Sequence, residues 1–168
     1  LRRKLSALLE TRRVQLVHPI AETKWIVRQT KRGREVARRK SPKRGRFEHL
    51  FDELLYIPDI VRHPNFSFVA LLTEQEEIWR DDGKGSWRRK HWSIGDKRLL
   101  RVTGRMEFKT LDDYLGLIPA GLGDPFTHKQ LAEALGSPLW LSTRMSYCLR
   151  KMGCLETRGK QGRALLLA

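Results

Sequence analysis

The residues best suited to metal-assisted chemistry gather in one stretch. Glu74, Glu76 and Glu77 are followed closely by Asp81 and Asp82. On a strand, Glu74 and Glu76 project from one face, near enough to share a divalent ion. The commoner fate of such a run is a solvated strand end, whose acids meet nearby arginines and blunt an edge. Glu22-Thr23-Lys24 has the Glu-x-Lys spacing with which Mg²⁺-dependent nucleases hold a metal and activate water. That chemistry also needs an acidic partner on a neighbouring strand, yet no aspartate lies between residues 1 and 51, and Glu35 has no lysine two residues on. His18, His49, His63, His91 and His128 lack metal-ligand spacing. Cys148 and Cys154 form no Cys-x-x-Cys and read as reduced thiols. Gly83-Lys84-Gly85-Ser86 lacks the spacing of a phosphate loop, and no nucleophile elbow occurs. No catalytic residue, metal ligand or cofactor is assigned, and an active enzyme is disfavoured.

Cations offer a different chemistry. Among 168 residues, 34 are lysine or arginine and 19 are acidic, a net charge of +15. Residues 1–46 hold 16 basic and 3 acidic residues, whereas residues 47–83 hold 2 and 9. Residues 84–109 hold 9 and 2, and residues 110–168 hold 7 and 5. Such a chain binds polyanions through release of their counterions. Arg38, Arg39, Lys40, Lys43, Arg44 and Arg46 crowd one short segment and are the strongest candidates for phosphate contact. Trp87, Arg88, Arg89 and Lys90, with His91 and Trp92, mix rings and cations as single-strand binders do. The plainer alternative there is a strand with tryptophan inward and arginine outward. Expected partners are therefore nucleic acid, with duplex DNA foremost, and secondarily a protein. A membrane is not expected, because no long apolar run or basic amphipathic helix is present.

The elements that must position these residues follow from apolar spacing. Leu5, Leu8 and Leu9 mark a short helix. Residues 14–17 read as a strand ended by His18-Pro19, residues 25–30 as a second, and residues 35–39 as a third after the turn at Gly33. Phe47, Leu50, Phe51, Leu54 and Leu55 share one helical face, and Pro58 ends that helix. Residues 66–79 alternate as a long, doubly buried strand, and residues 99–108 form another. The order αβββαβ predicts an α/β domain over residues 1–107. It looks like the core of restriction-endonuclease-like nucleases without their catalytic motif.

The last sixty residues carry sharper signals. Thr110 and Thr127 are N-cap residues, and Gly136 is a C-cap. Ser137 is expected to cap a third helix with Pro138 at its first position, and Leu141, Met145, Cys148 and Leu149 face inward. Residues 154–157 and 164–167 read as two short strands around a basic, glycine-rich tip. The stretch Phe126-Thr127-His128-Lys129-Gln130-Leu131-Ala132-Glu133-Ala134-Leu135-Gly136 resembles the first helix of many bacterial winged-helix domains. Three helices and a basic hairpin extend that resemblance over residues 108–168.

The resemblance implies a winged helix-turn-helix with its third helix in the major groove. Trp140, Thr143, Arg144 and Tyr147 would lie near base edges, and Arg158, Lys160 and Arg163 would touch phosphates or the minor groove. The whole chain also resembles an uncharacterised bacterial protein family, on the strength of Lys24-Trp25-Ile26-Val27-Arg28, Ser41-Pro42-Lys43-Arg44-Gly45-Arg46 and Tyr147-Cys148-Leu149-Arg150-Lys151-Met152-Gly153.

The expected fold is thus α+β, with an α/β domain followed by a winged helix. The expected function is DNA binding in the bacterial cytoplasm. The enzymatic alternative is a Mg²⁺-dependent nuclease or an accessory subunit derived from one. The third alternative is a protein-interaction module, docking through the acidic helix at Glu48, Asp52 and Glu53. Leu1-Arg2-Arg3-Lys4 opens without an initiator methionine, the expectation for a fragment, and the apolar stretch after it is too short for a signal peptide.

Overall fold

Proline does not end the first strand. In a computed structural model describing residues 1–168, β1 runs unbroken over Val14–Gln29. Proline lacks an N–H for the ladder, but β2 (Glu35–Lys40) pairs with β1 only from Trp25 to Gln29. At Pro19 that flank of β1 carries no ladder, so the missing donor costs nothing there. The two strands expected over residues 14–17 and 25–30 are therefore one, and with the strand expected at residues 99–108 counted the order is αββαββ.

β3 spans Phe66–Arg80 and β4 spans Ser93–Phe108, joining the others in one sheet of order β2-β1-β3-β4. Val14 donates its N–H to the Asn65 carbonyl, and Asp81 donates to that of Gln29. Like ends of β1 and β3 are therefore adjacent, which makes that pair parallel. β4 starts earlier than its apolar pattern, because its first half is exposed on both faces and carries no burial signal. Helices α1 (Arg2–Leu9), α2 (Phe51–Leu54), α3 (Leu111–Leu115), α4 (His128–Leu135) and α5 (Leu139–Lys151), with the hairpin β5 (Thr157–Gln161) and β6 (Ala164–Leu167), complete an α+β chain.

Contacts divide the chain into two compact units. One comprises Leu1–His18, Glu48–Val69 and Met106–Ala168, here the helical unit; the other, Pro19–Phe47 and Ala70–Arg105, is the strand unit. They do not follow the sequence division at residue 107, because the strands β1, β3 and β4 each begin in one unit and end in the other.

The helical unit has an apolar core. The helix expected from Phe47 is shortened to a 3-10 turn at Phe47–Leu50 and the single turn of α2, yet Leu50, Phe51, Leu54 and Ile57 are all fully buried. Phe108 stacks on Tyr114 at 4.8 Å and meets Phe68 edge-on at 6.3 Å. Thr110 with Asp113, and Thr127 with Gln130, form capping boxes at α3 and α4. Gly136 closes α4 in the left-handed conformation at φ 56°. Leu141, Met145, Cys148 and Leu149 of α5 are fully buried, at the helical spacing that the sequence carries.

Two local expectations are corrected. Pro138, and not Ser137, is the N-cap of α5, and the Ser137 hydroxyl is buried without a partner. The strand expected at residues 154–157 shifts to β5, because Cys154 N–H bonds back to the Leu149 carbonyl and is spent in closing α5 beyond Gly153. Phe126 pairs with Leu167, adding a third strand segment beside β6.

The strand unit has little core. Ile20, Ile26, Val27, Ala70 and Ile78 are its buried apolar residues, and every residue of β2 is exposed. Ladders, ion pairs and tryptophan contacts hold it instead.

Candidate nucleic-acid interface

Strand register brings cations of β2 over Trp25 of β1. Trp25 faces Lys40 and Val27 faces Arg38 on one side of the sheet, while Ile26 faces Arg39 on the other. The Arg38 guanidinium lies 4.0 Å from the Trp25 ring, with the Lys40 ammonium 5.8 Å away. The Trp25 indole N–H donates to Glu74 at 2.8 Å, and Arg101 donates to the same carboxylate at 2.7 Å. Arg38 donates to Glu76 at 2.9 Å. These bonds explain the acidic run as counter-charge within a basic surface.

Glu77 sits on the opposite face. It accepts from the Trp79 indole N–H at 2.7 Å and from Lys24 at 3.3 Å. Burial raises its carboxyl, but those two donors outweigh burial and hold it below the usual carboxylate range. Glu74 is held low too, by the bonds from Trp25 and Arg101. Glu22 and Lys24 lie within β1, with Glu22 accepting from Thr103 at 2.5 Å and Lys24 committed to Glu77. No three histidine, cysteine, aspartate or glutamate side chains are grouped so as to hold a metal.

Residues 87–92 form a tight loop and not a strand. A 3-10 turn covers Trp87–Arg89, and Lys90 and His91 take left-handed conformations at φ 51° and 64°. Gly85 N–H bonds to the His91 carbonyl, and a Cβ at Gly85 would stand 1.8 Å from the Trp92 carbonyl oxygen, so only glycine fits. The closed loop leaves Trp87 at 74% exposure under the Arg88 guanidinium. Arg89 bonds to the Trp92 carbonyl, and Arg28 lies 5.2 Å from the Trp92 ring. Lys43, Arg44 and Arg46 are exposed in the loop after β2.

In the helical unit the four α5 candidates divide. Arg144 donates to Asp52 at 2.6 Å and stacks 4.8 Å from Trp140, whose other neighbour is His49 at 5.9 Å. Thr143 returns its hydroxyl to the Leu139 carbonyl. Tyr147 stays exposed near Lys151, and together with Arg150 and Thr157 they line a cleft of about 430 Å³. Arg158, Lys160 and Arg163 are exposed on the hairpin, with Arg158 near Glu156 at 3.8 Å. Of the acidic helix, Glu48 is buried and Asp52 is engaged by Arg144, which reduces its surface for a partner.

Sequence reasoning missed Lys24, Trp25, Arg28 and Trp79 as members of the basic surface. Alternation places each on a face, but only the register of β1 against β2 shows which cations they meet. Charge also sorts by unit. The strand unit holds 20 basic and 8 acidic residues, a balance of +12, and the helical unit 14 and 11, a balance of +3.

A two-unit α+β chain with a cation-rich sheet surface is the class that the fold defines. The chain belongs to the family described as Domain of unknown function DUF8091, whose model matches residues 1–109. An uncharacterized protein of Treponema pallidum (strain Nichols) is 30% identical over 163 residues, covering 97% of this chain and 64% of that protein. Mouse NLR family CARD domain-containing protein 4 is 28% identical over 129 residues, 67% of this chain and 13% of its own length. The chain thus spans less than two thirds of either relative. No solved structure matches it. No helix is long and apolar enough to cross a membrane.

Proposed function

We propose that this chain binds nucleic acid and that the strand unit supplies most of the affinity. The observation carrying this reading is the +12 balance on a small unit whose β2 strand is wholly exposed. Counterion release makes such a surface a polyanion site whatever sequence it meets. Trp25 beneath Arg38, and the exposed Trp87 beneath Arg88, add ring faces to the cations. Residues 108–168 are read as a winged helix-turn-helix docking on duplex DNA. Supporting that reading are the element order α3, a Phe126 bridge, α4, α5, β5 and β6, and the tight Gly136 turn between α4 and α5. Because Arg144 and Trp140 are engaged within the unit, Tyr147, Arg150, Lys151 and the hairpin cations carry the contacts on that side.

A protein partner is a second reading, favoured by one observation. β4 is a sheet edge, and Leu99, Leu100 and Val102 on it are 63%, 45% and 48% exposed. An added strand from a partner would cover such an edge.

The test is duplex-DNA binding by the intact chain across a salt series. Affinity is expected to fall by orders of magnitude between about 50 and 200 mM salt. Absence of binding at low salt, alongside capture of a partner unaffected by salt, would favour the second reading.

A further inference from the structure

The strand unit also contains a cleft whose chemistry is more selective than a basic surface. It encloses about 370 Å³ beside β1, β3 and the loop after β2. That volume falls within the ~300–1,000 Å³ range of small-molecule sites. Ile26 and the Trp79 ring supply apolar wall, while Arg39, Lys43 and Arg89 line the same space. None of these three cations has a carboxylate within ion-pair distance. Glu77 is the cleft's one acid, and Lys24 and the Trp79 N–H already compensate its charge. The bond to Glu77 also fixes the Trp79 ring, and the Arg28 guanidinium lies 6.0 Å from its centre. Ser41 is buried at 8% exposure and accepts the Lys43 backbone N–H, which leaves its own proton to donate.

A fixed indole face next to several uncompensated cations suits a ligand with an aromatic ring and a phosphate. We propose that this cleft binds one nucleoside phosphate, its base against Trp79 and its phosphate among Arg39, Lys43 and Arg89. The nucleotide is either free or one residue of a single strand lifted out of its stack. The inference deepens the nucleic-acid reading, but a free nucleotide would occupy the cleft even if that reading failed.

The experiment titrates the intact chain by calorimetry with adenosine monophosphate, inorganic phosphate and oligothymidylate, with duplex DNA as a parallel arm. Adenosine monophosphate should bind at least tenfold more tightly than phosphate. Trp79→Leu should weaken adenosine monophosphate about tenfold, the loss expected for one stacked base, and leave phosphate unchanged. Lys43→Ala, at an exposed position that tolerates truncation, should weaken both about fivefold. Oligothymidylate binding weakened in both variants, and tighter than that of adenosine monophosphate, identifies the strand as the source; the reverse order identifies the free nucleotide. Adenosine monophosphate binding no tighter than phosphate, or unchanged in both variants, overturns the cleft even where duplex binding persists. Nucleotide binding weakened in the variants as expected, in a chain that ignores duplex and strand, keeps the cleft and overturns the nucleic-acid reading.

Discussion

The helical unit and the strand unit solve the problem of holding a chain together in opposite ways. The first buries phenylalanines, leucines and the inward face of α5 and keeps its charges nearly balanced. The second buries five apolar residues and relies on ladders, on Trp25 and Trp79 held by carboxylates, and on cations laid over rings. Binding evolves at least cost where charge is already unbalanced. A surface already crowded with mutually repelling arginines is less stable by itself, and a polyanion relieves that repulsion. The apolar core of the helical unit gains nothing comparable from a charged partner.

The largest effect that separates the two units is truncation of side chains. Leu141→Ala should cost about 2–5 kcal/mol of stability by leaving a cavity in a closed core. Trp87→Ala removes a larger side chain from the strand unit, yet should stay within about 0.5 kcal/mol because that ring is mostly exposed. Urea unfolding of both variants measures this, and equal losses would break the contrast.

A middle effect tests local order at α4. Thr127→Ala removes the hydroxyl that accepts the Gln130 N–H and should cost about 1 kcal/mol. Ser137→Ala should cost nothing or stabilise, since its buried hydroxyl has no partner to lose.

The smallest effect is acid sensitivity in the strand unit. Glu77 has its folded-state pKa depressed, so its contribution is present above the unfolded value, near 4.3, and is lost as pH falls through the folded value. Glu77→Gln should lower stability at neutral pH, where that contribution is present, and lower it less in acid, so that urea unfolding across pH gives a flatter profile in the acidic window. An unchanged pH profile would mean that the Lys24 and Trp79 bonds do not favour the ionised Glu77 carboxylate in the folded chain.

The sequence made helices legible where local chemistry acts alone. The Thr127 to Gly136 boundaries of α4 and the inward spacing of α5 rest on caps and period, and both stand as read. Legibility failed where the outcome depends on a distant strand. Whether Pro19 ends a strand depends on how far β2 reaches along β1, and no local residue encodes that reach. The acidic run at Glu74 had two readings from sequence, and the cations that compensate it come from β1, β2 and β4. Arg144 looked available for a groove because Asp52, its partner, is far away along the chain.

On the proposed reading, polyanion affinity resides in the strand unit. That claim is tested most directly by two neutralised variants in the same salt series, read as the slope of log affinity against log salt. In one, Arg39, Lys40, Lys43 and Arg44 become glutamine; in the other, Arg150, Lys151, Arg158 and Lys160 do. The strand-unit variant should lose about three to four units of slope, near 0.9 for each phosphate contact removed, and the helical-unit variant about one. The opposite ranking would contradict the claim and move the interface to α5 and the β5–β6 hairpin.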